Sequence, residues 1–412
     1  MAAGDRVSRT RSVVVAVVVS TFFVGFGGGV VFPILPNLGT VIGISPFLVG
    51  VILSANRFTR IVANAPAGSL IDRVGTRKPL VAGMLIEGVG TLGYVVAMGS
   101  PLPEAWFLGA RIVWGLGSAM VFATAYTIAA DVSDEGSRGT SMGVVRGGIM
   151  LGFPSGLVMG GVVSDVYGIT VAFGVAAALA LFATLVAYAL VPETHVSGTR
   201  NAVRPWELDT SVPTLTVGLV NFAIFFVYLG ALFATLVLFL DRNGLSVWGY
   251  GPQGMSGLLM AVTVFSATVF TIGGGKISDA SGSRMPTLGA FLAVMAAGFL
   301  VLSMAGTLPM LVVACVLIGA GQGGTSGPLM ALLADLTPGE RTGRAMGTNN
   351  VFGDLGGGLG PMVALPLAGP VGFGALYAAC AAVPLLAGLV LVGGVYRQTG
   401  SLRPRTAGSG KR

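Results

Sequence analysis

Gly68-Ser-Leu-Ile-Asp72-Arg73-Val-Gly75-Thr-Arg77-Lys78 recurs later in the chain as Gly275-Lys-Ile-Ser-Asp279-Ala-Ser-Gly282-Ser-Arg284. Gly, Asp, Gly and Arg stand in the same frame in both stretches, 207 residues apart. A second, gap-free match relates residues 130–156 to residues 334–360 at an offset of 204, and it keeps Ala-Asp, Met-Gly and Leu-Gly pairs. Two in-frame matches at nearly the same offset predict a chain made of two related halves.

Long apolar segments surround both stretches. Apolar residues make up 54% of the 412-residue chain and charged residues only 9%, whereas a soluble domain carries roughly 25% charged residues. Such a surface is suited to lipid, and one membrane span needs about 20 mainly apolar residues. We predict twelve spans, near residues 13–35, 46–68, 79–99, 104–128, 142–163, 170–192, 213–240, 252–273, 285–305, 309–332, 345–367 and 371–396.

The longest polar stretch between predicted spans leaves six spans before it and six after it. We therefore predict an all-α integral membrane protein with two pseudo-symmetric six-helix bundles, a plan found among transporters. The predicted parts are an N-terminal bundle at 1–192, a cytoplasmic central loop at 193–212, a C-terminal bundle at 213–396 and a basic cytoplasmic tail at 397–412.

Basic residues are distributed unequally between the two sides of the predicted membrane. With the N-terminus inside, four of the 23 Lys and Arg residues lie within spans, Arg242 lies outside, and the remaining 18 face the cytoplasm. Because Lys and Arg are enriched in cytoplasmic loops, we expect a multi-pass protein of the cell membrane with both termini cytoplasmic. The positive net charge is then topological and indicates no nucleic-acid partner.

The loop at 68–78 resembles the signature G-x-L-x-D-R-x-G-x-R-R/K of the major facilitator superfamily, and six plus six spans extend the resemblance over nearly the whole chain. In that family the loop is a cytoplasmic gate. The residues matched to the gate are Gly68, Asp72, Arg73, Gly75, Arg77, Lys78 and Asp131, with Gly275, Asp279, Gly282 and Arg284 in the second half.

The resemblance also implies roles for these residues. Asp72 is expected to pair with basic groups of the neighbouring half, and Arg73 and Arg77 with acids such as Asp131. Gly68 and Gly75 are expected to allow a close helix approach and a tight turn. An ordinary cytoplasmic turn is the alternative.

Two further spans resemble family motifs. Arg111 matches the buried arginine of the family's fourth-span motif, although Trp114 replaces the usual Gln and Cys315 stands opposite Arg111 in the second half. The alternative for Arg111 is a side chain that snorkels to the membrane surface. The fifth span is similar to the antiporter motif G-x-x-x-G-P-x-x-G-G, with Leu157 at the usual Pro position and Pro154 one turn earlier.

The glycine spacing of this fifth-span motif also suits plain helix packing. The residues of this helix-packing motif, together with their second-half matches, are Gly152, Gly156, Gly160, Gly161, Gly356, Gly360 and Pro361. Val191-Pro-Glu-Thr194, at the end of the sixth span, also resembles the family, in particular its twelve-span drug:proton antiporters.

Only two of the 16 acidic residues, Glu87 and Asp354, are predicted to lie well inside spans, and the single His is not intramembrane. An ionisable group near the bilayer centre costs at least about 2.5–3.5 kcal/mol and is a functional hypothesis by default. The resemblance implies that the second and eleventh spans face each other, and Arg57 and Asp354 lie at similar depth in them, so we hypothesise that Arg57 or Arg60 pairs with Asp354 and that protonation of Asp354 loosens the pair. A static ion pair is the alternative for Asp354, and a packing or headgroup role is the alternative for Glu87, about one-third along its span.

Polar and aromatic groups within the spans are candidates for contact with a substrate. The polar and aromatic cavity candidates are Asn221, Phe225, Tyr228, Gln322, Asn349 and Asn350, and the further apolar ones are Phe22, Phe23, Phe222 and Phe226. Each polar group could equally hydrogen-bond two helices, and each ring could equally pack against lipid or the core.

The favoured function is proton-coupled efflux of small amphipathic or drug-like molecules by alternating access, in a monomer whose partners are its substrate, protons and the lipid bilayer. The proton-coupling candidates are Asp354, Glu87, Arg111, Arg57 and Arg60. A proton symporter or uniporter for a small metabolite is the nearest alternative, and a non-transporting receptor or scaffold is one of another class. No metal, cofactor or catalytic residue is expected, since the chain lacks HExxH and its Gly273-Gly-Gly-Lys276 lacks the spacing of a phosphate loop.

Overall fold

The computed structural model describes residues 3–131, 138–194, 208–245, 249–402 and 404, without the side chains of residues 3–14, 129, 130, 138–142, 144 and 146. Most of the predicted central loop and basic tail lies outside the described residues. The helices are α1 Ala3–Val30, α2 Leu38–Ile42, α3 Pro46–Val74, α4 Arg77–Met98, α5 Pro103–Asp131, α6 Arg138–Tyr167, α7 Ile169–Leu190, α8 Val212–Phe225, α9 Phe233–Arg242, α10 Pro252–Ala280, α11 Arg284–Ser303, α12 Leu308–Leu336, α13 Gly339–Val371 and α14 Phe373–Thr399.

Twelve helical segments of the described chain are long and apolar enough to cross a membrane, which confirms the predicted number. The first continues from α1 through α2, and the seventh joins α8 to α9 through a π-helical turn at Phe226–Leu232. Helices suit the bilayer because every backbone donor and acceptor is satisfied within the segment.

Several helices extend past the predicted spans. Helix α13 has 33 residues, a length of about 50 Å at 1.5 Å per residue, against a hydrocarbon core of about 30 Å. Its first turn carries Glu340 and Arg341, so the helix starts in a polar segment that an apolar window does not capture.

The chain forms two compact units. The first contains α1, the part of α3 from Ala55 onward, α4–α7 and the Gln253–Gly257 segment of α10. The second contains Pro36–Ser54, the rest of α10, and α8, α9 and α11–α14. Within the first unit, Leu80, Met84, Val121 and Ala125 lie in one buried apolar cluster.

Helix α6 packs on α1 through glycines that lie directly against the α1 backbone. A Cβ atom at Gly152 would lie 2.7 Å from the carbonyl carbon of Phe22, and one at Gly156 would lie 2.8 Å from that of Phe26. One at Gly160 would lie 2.8 Å from the Cα atom of Val30. These glycines therefore have a packing role, as in other membrane helix pairs.

The same contact recurs in the second unit. A Cβ atom at Gly356 would lie 2.9 Å from the carbonyl carbon of Phe222, and one at Gly360 would lie 2.5 Å from the carbonyl oxygen of Phe226. Phe222 and Phe226 are stacked with ring centroids 5.8 Å apart, and Phe22 and Phe26 are stacked at 6.3 Å. In both units, therefore, two stacked phenylalanines belong to the helix that packs against a Gly-x-x-x-Gly segment, in agreement with the sequence repeat.

We predict that Gly156→Ala lowers the free energy of unfolding by about 1–3 kcal/mol, the usual effect of overpacking. Gly147→Ala is the matched control in α6, because no described atom lies within 4 Å of a Cβ placed there. Thermal unfolding of the purified protein in detergent measures both. Equal losses in the two variants would contradict the packing role of Gly156.

Candidate functional site

Helices α4 and α5 of the first unit run antiparallel and touch through small residues. A Cβ atom at Gly83 would lie 2.9 Å from the carbonyl oxygen of Gly117, and one at Gly90 would lie 3.0 Å from that of Ala110. This approach of the two backbones brings the side chains of Glu87 and Tyr94 on α4 beside those of α5.

Arg111 of α5 is buried, with 2% of its surface exposed. One terminal nitrogen, Nη2, donates a hydrogen bond of 2.7 Å to Oδ1 of Asn56 on α3. The guanidinium lies 5.8 Å from the ring centroid of Trp114 and is close enough to the Tyr94 hydroxyl to interact electrostatically. The alternative of an arginine that snorkels to the membrane surface is therefore wrong.

Glu87 lies in the same region and is only 4% exposed. It is the eleventh of the 22 residues of α4, at the middle of the span rather than the predicted one-third, because the helix already begins at Arg77. A Cβ atom at Gly117 would lie 2.8 Å from Cγ of Glu87, so its methylene group packs on α5. The Glu87 carboxylate is near the positive charge of Arg60. The Arg60 guanidinium carbon lies 5.6 Å from the centroid of the Phe122 ring on α5.

Three buried polar atoms of this α4–α5 pair make no hydrogen bond of ordinary geometry with a described residue: Glu87 Oε1, Ser118 Oγ and Tyr94 OH, the last of which lies beside the Arg111 guanidinium. Buried polar atoms are nearly always paired, so each exception needs an explanation. We name the group Asn56, Arg60, Glu87, Tyr94, Arg111 and Ser118 the buried polar cluster; Arg60 is its one half-buried member.

Asn56, Tyr94 and Ser118 were not among the site residues predicted from the sequence. A signal was present, because Tyr94 follows Glu87 by seven residues and Ser118 follows Arg111 by seven residues. Seven residues are about two helical turns, which places each pair on one face of its helix. Asn56 precedes Arg60 on α3 by four residues, about one helical turn, so these two residues also lie on one face of their helix.

In the second unit the structure brings together two of the predicted cavity residues. Nδ2 of Asn221 on α8 donates a hydrogen bond of 3.0 Å to the backbone carbonyl of Asn349 on α13. The Asn349 side chain is 1% exposed, lies 3.1 Å from Sδ of Met330, and leaves its Oδ1 without a partner among the described residues. Asn221 therefore links two helices, which was the alternative considered for it.

The other predicted cavity residues of this unit differ in burial and position, and Phe225 lies against Gly353 together with Asn221. Tyr228 is buried in the π-helical turn, with its ring 5.1 Å from that of Phe233. Phe225 packs near Gly353, Gln322 is partly buried on α12, and Asn350 is exposed.

Asp354 is 8% exposed within α13. It belongs to the second unit, whereas Arg57 and Arg60 belong to the first. The proposed pairing of either arginine with Asp354 stays a prediction.

The predicted gate loop at 68–78 is mostly helical in the structure: residues 68–74 continue α3, residues 77–78 begin α4, and only Gly75 and Thr76 lie between the two helices. The connecting glycine has the left-handed conformation that a tight turn requires. Gly75 has φ +86° and its repeat partner Gly282 has φ +67°. At Gly68 no described atom lies within 4 Å of the position that a Cβ atom would take, so the close approach expected there is not observed. Asp72, Arg73 and Lys78 are exposed.

Glu193, from the Val-Pro-Glu-Thr segment after α7, caps the start of α4. Its carboxylate accepts hydrogen bonds from the backbone N–H of Thr76 at 2.7 Å, from the Thr76 hydroxyl at 2.8 Å and from the backbone N–H of Arg77 at 3.3 Å. A carboxylate is favoured at a helix N-terminus because the unpaired N–H groups and the helix dipole both attract it.

The arginines of the two gate loops have different described partners. Arg77 donates a hydrogen bond of 2.7 Å to the backbone carbonyl of Tyr188 and lies over that ring. Arg284 forms ion pairs with Asp279 and, at 3.3 Å, with Asp335, the repeat partner of Asp131. The second loop thus contains the kind of Arg–Asp pair that the resemblance implied for the first.

We predict that Gly75→Ala lowers the free energy of unfolding by about 1–2 kcal/mol, the cost of a left-handed conformation for an L residue. The added methyl group would also lie 2.6 Å from Oε2 of Glu193 and displace the cap. Thermal unfolding of the purified protein measures the loss, with Gly68→Ala as the matched control in the same loop motif. A loss in Gly68→Ala as large as that in Gly75→Ala would rule out this explanation.

The chain is similar in sequence to named transporters. It is 23% identical over 355 residues to Multidrug resistance protein 2 of Bacillus subtilis, which covers 84% of this chain and 86% of that protein. It is 26% identical over 387 residues to the multi-drug resistance efflux pump PmrA of Streptococcus pneumoniae, which covers 90% of this chain and 93% of that protein.

Its fold matches that of a bacterial homolog of the human lysosomal transporter Spinster, solved in an inward-facing and occupied conformation. The TM-score is 0.76 at 16% identity, covering 95% of this chain and 98% of that one. The sequence model of the Major Facilitator Superfamily matches residues 17–361 and 249–411. With twelve spans, two in-frame repeats and these matches, the chain belongs to the Major Facilitator Superfamily and is a membrane transporter rather than an enzyme.

Proposed function

We propose that this transporter exports small amphipathic or drug-like molecules in exchange for protons, by alternating access. The observation that carries the proposal is Glu87, a carboxylate buried at the middle of a membrane span with one oxygen unpaired among the described residues. Such a group inside a membrane protein is a candidate proton carrier by default.

The charges of the buried polar cluster support a coupling role for Glu87. With Glu87 ionised, the cluster holds two positive charges, on Arg60 and Arg111, and one negative charge. Protonation of Glu87 removes a negative charge that acts on half-buried Arg60 and so weakens the electrostatic attraction between α4 and α3. This change in attraction couples protonation to a change of conformation.

Arg111 is suited to a supporting role in this scheme. Its contacts include Asn56, Trp114 and Tyr94, which are uncharged. These contacts hold its charge in the cluster in either protonation state of Glu87. Asp354 is the second proton candidate, since it is a buried acid in a spanning helix of the other unit.

Efflux and the substrate class rest on the relatives. Two relatives that match over most of their length are called a multidrug resistance protein and a multi-drug resistance efflux pump. We place the protein in the cell membrane as a monomer, with both termini cytoplasmic because 18 of the 23 basic residues then face that side.

A proton symporter or uniporter for a small metabolite is the second candidate. A symporter moves its substrate in the same direction as protons, and a uniporter moves its substrate without protons. Proteoliposomes with a pH gradient and a fluorescent amphipathic dye distinguish them. We expect the dye to move in the direction opposite to the proton flux, as in an antiporter. Movement of the dye in the same direction as the protons would favour the symporter. No flux of any tested solute by the folded protein would favour a non-transporting receptor or scaffold.

We predict that Glu87→Gln abolishes the acceleration of dye transport by a pH gradient, because the amide cannot release a proton. A coupling free energy of 1–3 kcal/mol corresponds to a loss of roughly 5–150-fold. Substrate counterflow without a pH gradient is expected to remain. Glu104→Gln is the control, since Glu104 lies in the first turn of α5 and outside the cluster. Unchanged pH-driven transport in Glu87→Gln would remove Glu87 from the mechanism.

The same assay tests the second acid. We expect Asp354→Asn to weaken pH-driven transport if protonation of Asp354 contributes to coupling. Loss of thermal stability with intact pH-driven transport would assign Asp354 a static structural role instead.

A further inference from the structure

A groove of about 340 Å³ lies on the outside of the α4–α5 pair, next to the buried polar cluster. Its lining includes Val89, Gly90 and Gly93 of α4 and Trp106, Gly109 and Ala110 of α5, and no charged side chain is among its lining residues. Val89 and Trp106 are about half exposed, at 51% and 49%. The groove therefore opens outward from the helix pair.

Missing side chains create this groove. At Gly90 and Gly93 the two helices are in close contact. A Cβ atom at Gly90 would lie 3.0 Å from the carbonyl oxygen of Ala110, and one at Gly93 would lie 2.9 Å from the Cβ atom of Ala110. At Gly109 no described atom lies within 4 Å of a Cβ position, so this glycine opens space instead of allowing contact. Val89 and Trp106 form walls on the two sides.

We propose that this groove binds one acyl chain of a membrane lipid. The helices cross a bilayer, so hydrocarbon is what covers their outer surface. The lining residues offer a water molecule few polar partners. A chain of methylene groups instead meets apolar atoms along the groove.

The dimensions of the groove fit one leaflet. Its α5 side runs from Ala105 to Val113, about 12 Å at 1.5 Å per residue, and it begins two residues after the start of α5 at Pro103. One leaflet contributes about 15 Å of hydrocarbon. Trp106 lies near the helix end, where tryptophan rings sit at the headgroup level in membrane proteins. An acyl chain anchored at that end would run along the groove toward the bilayer centre.

The site is close to the transport machinery but separate from it. Gly90 and Ala110 form the floor of the groove, and the next residue after Ala110 is Arg111 of the buried polar cluster. A bound chain would therefore press on the α4–α5 contact that holds Arg111 beside Tyr94. This goes beyond the transport function proposed above, and its test does not depend on transport.

Photolabelling of the full-length protein tests the proposal. The probe is a phosphatidylcholine with a diazirine in one acyl chain, mixed into phosphatidylcholine nanodiscs, with adducts mapped by mass spectrometry of peptides. We expect adducts on residues 89–93 and 105–113 in excess of those on the outer face of α7. Gly109→Leu, which fills the groove without a backbone clash, is expected to reduce them to the α7 level.

Two further variants keep this result interpretable. Gly174→Leu is the matched control, since Gly174 lies on α7 with no described atom within 4 Å of a Cβ position, and labelling of the groove should be unchanged. Ala105→Phe narrows the groove at the start of its α5 side and should also abolish the excess. Adducts spread evenly over the outer helix faces, or an excess that survives both groove variants with unchanged thermal stability, would overturn the proposal. Displacement of the adducts only by an amphipathic drug would assign the groove to substrate instead.

Discussion

Direct contact between helix backbones at glycine is the interaction on which this structure depends. Between helices in lipid the hydrophobic effect contributes little, so association rests on van der Waals packing and hydrogen bonds. Glycine lets the backbone atoms themselves form that packing: Gly152, Gly156 and Gly160 lie against α1, and Gly356 and Gly360 lie against α8 and the π-helical turn. Glycine at these positions is therefore a structural requirement of the bundle, whereas others among the 66 glycines, such as Gly147, have no described atom within 4 Å of a Cβ position.

Contact between helix backbones at glycine also positions the charged groups of α4 and α5. Gly83, Gly90 and Gly117 bring α4 against α5, and as a result Glu87, Tyr94 and Arg111 meet in a region from which lipid and bulk water are excluded. In such a place a charge needs a partner, and Arg111 has neutral ones in Asn56 and the Trp114 ring. Oε1 of Glu87 has no hydrogen-bond partner among the described residues, and its carboxylate is the proton carrier that we propose.

The N-terminus of α4 is stabilised in a different way from the helix contacts. There the backbone must reverse and the unpaired N–H groups of a helix start must be satisfied. Gly75 makes the turn and Glu193, which is distant in sequence, accepts the hydrogen bonds. The two motifs that resembled the family separately, the loop at 68–78 and the segment after α7, are thus parts of one contact. Gly75 suits both demands, because a side chain there would meet the Glu193 carboxylate.

The sequence by itself determined the twelve spans, the two related halves and the family, because hydropathy over about 20 residues and recurring motifs are local properties of a chain. It also singled out Glu87, Arg111 and Asp354, because an ionisable residue in an apolar segment is conspicuous without any structure. Only the tertiary structure decided which of these groups meet. Asn56, Tyr94 and Ser118 belong to the buried polar cluster because of how α3, α4 and α5 pack. That packing depends on the fit of surfaces distant in sequence, which spacing within a single helix does not specify.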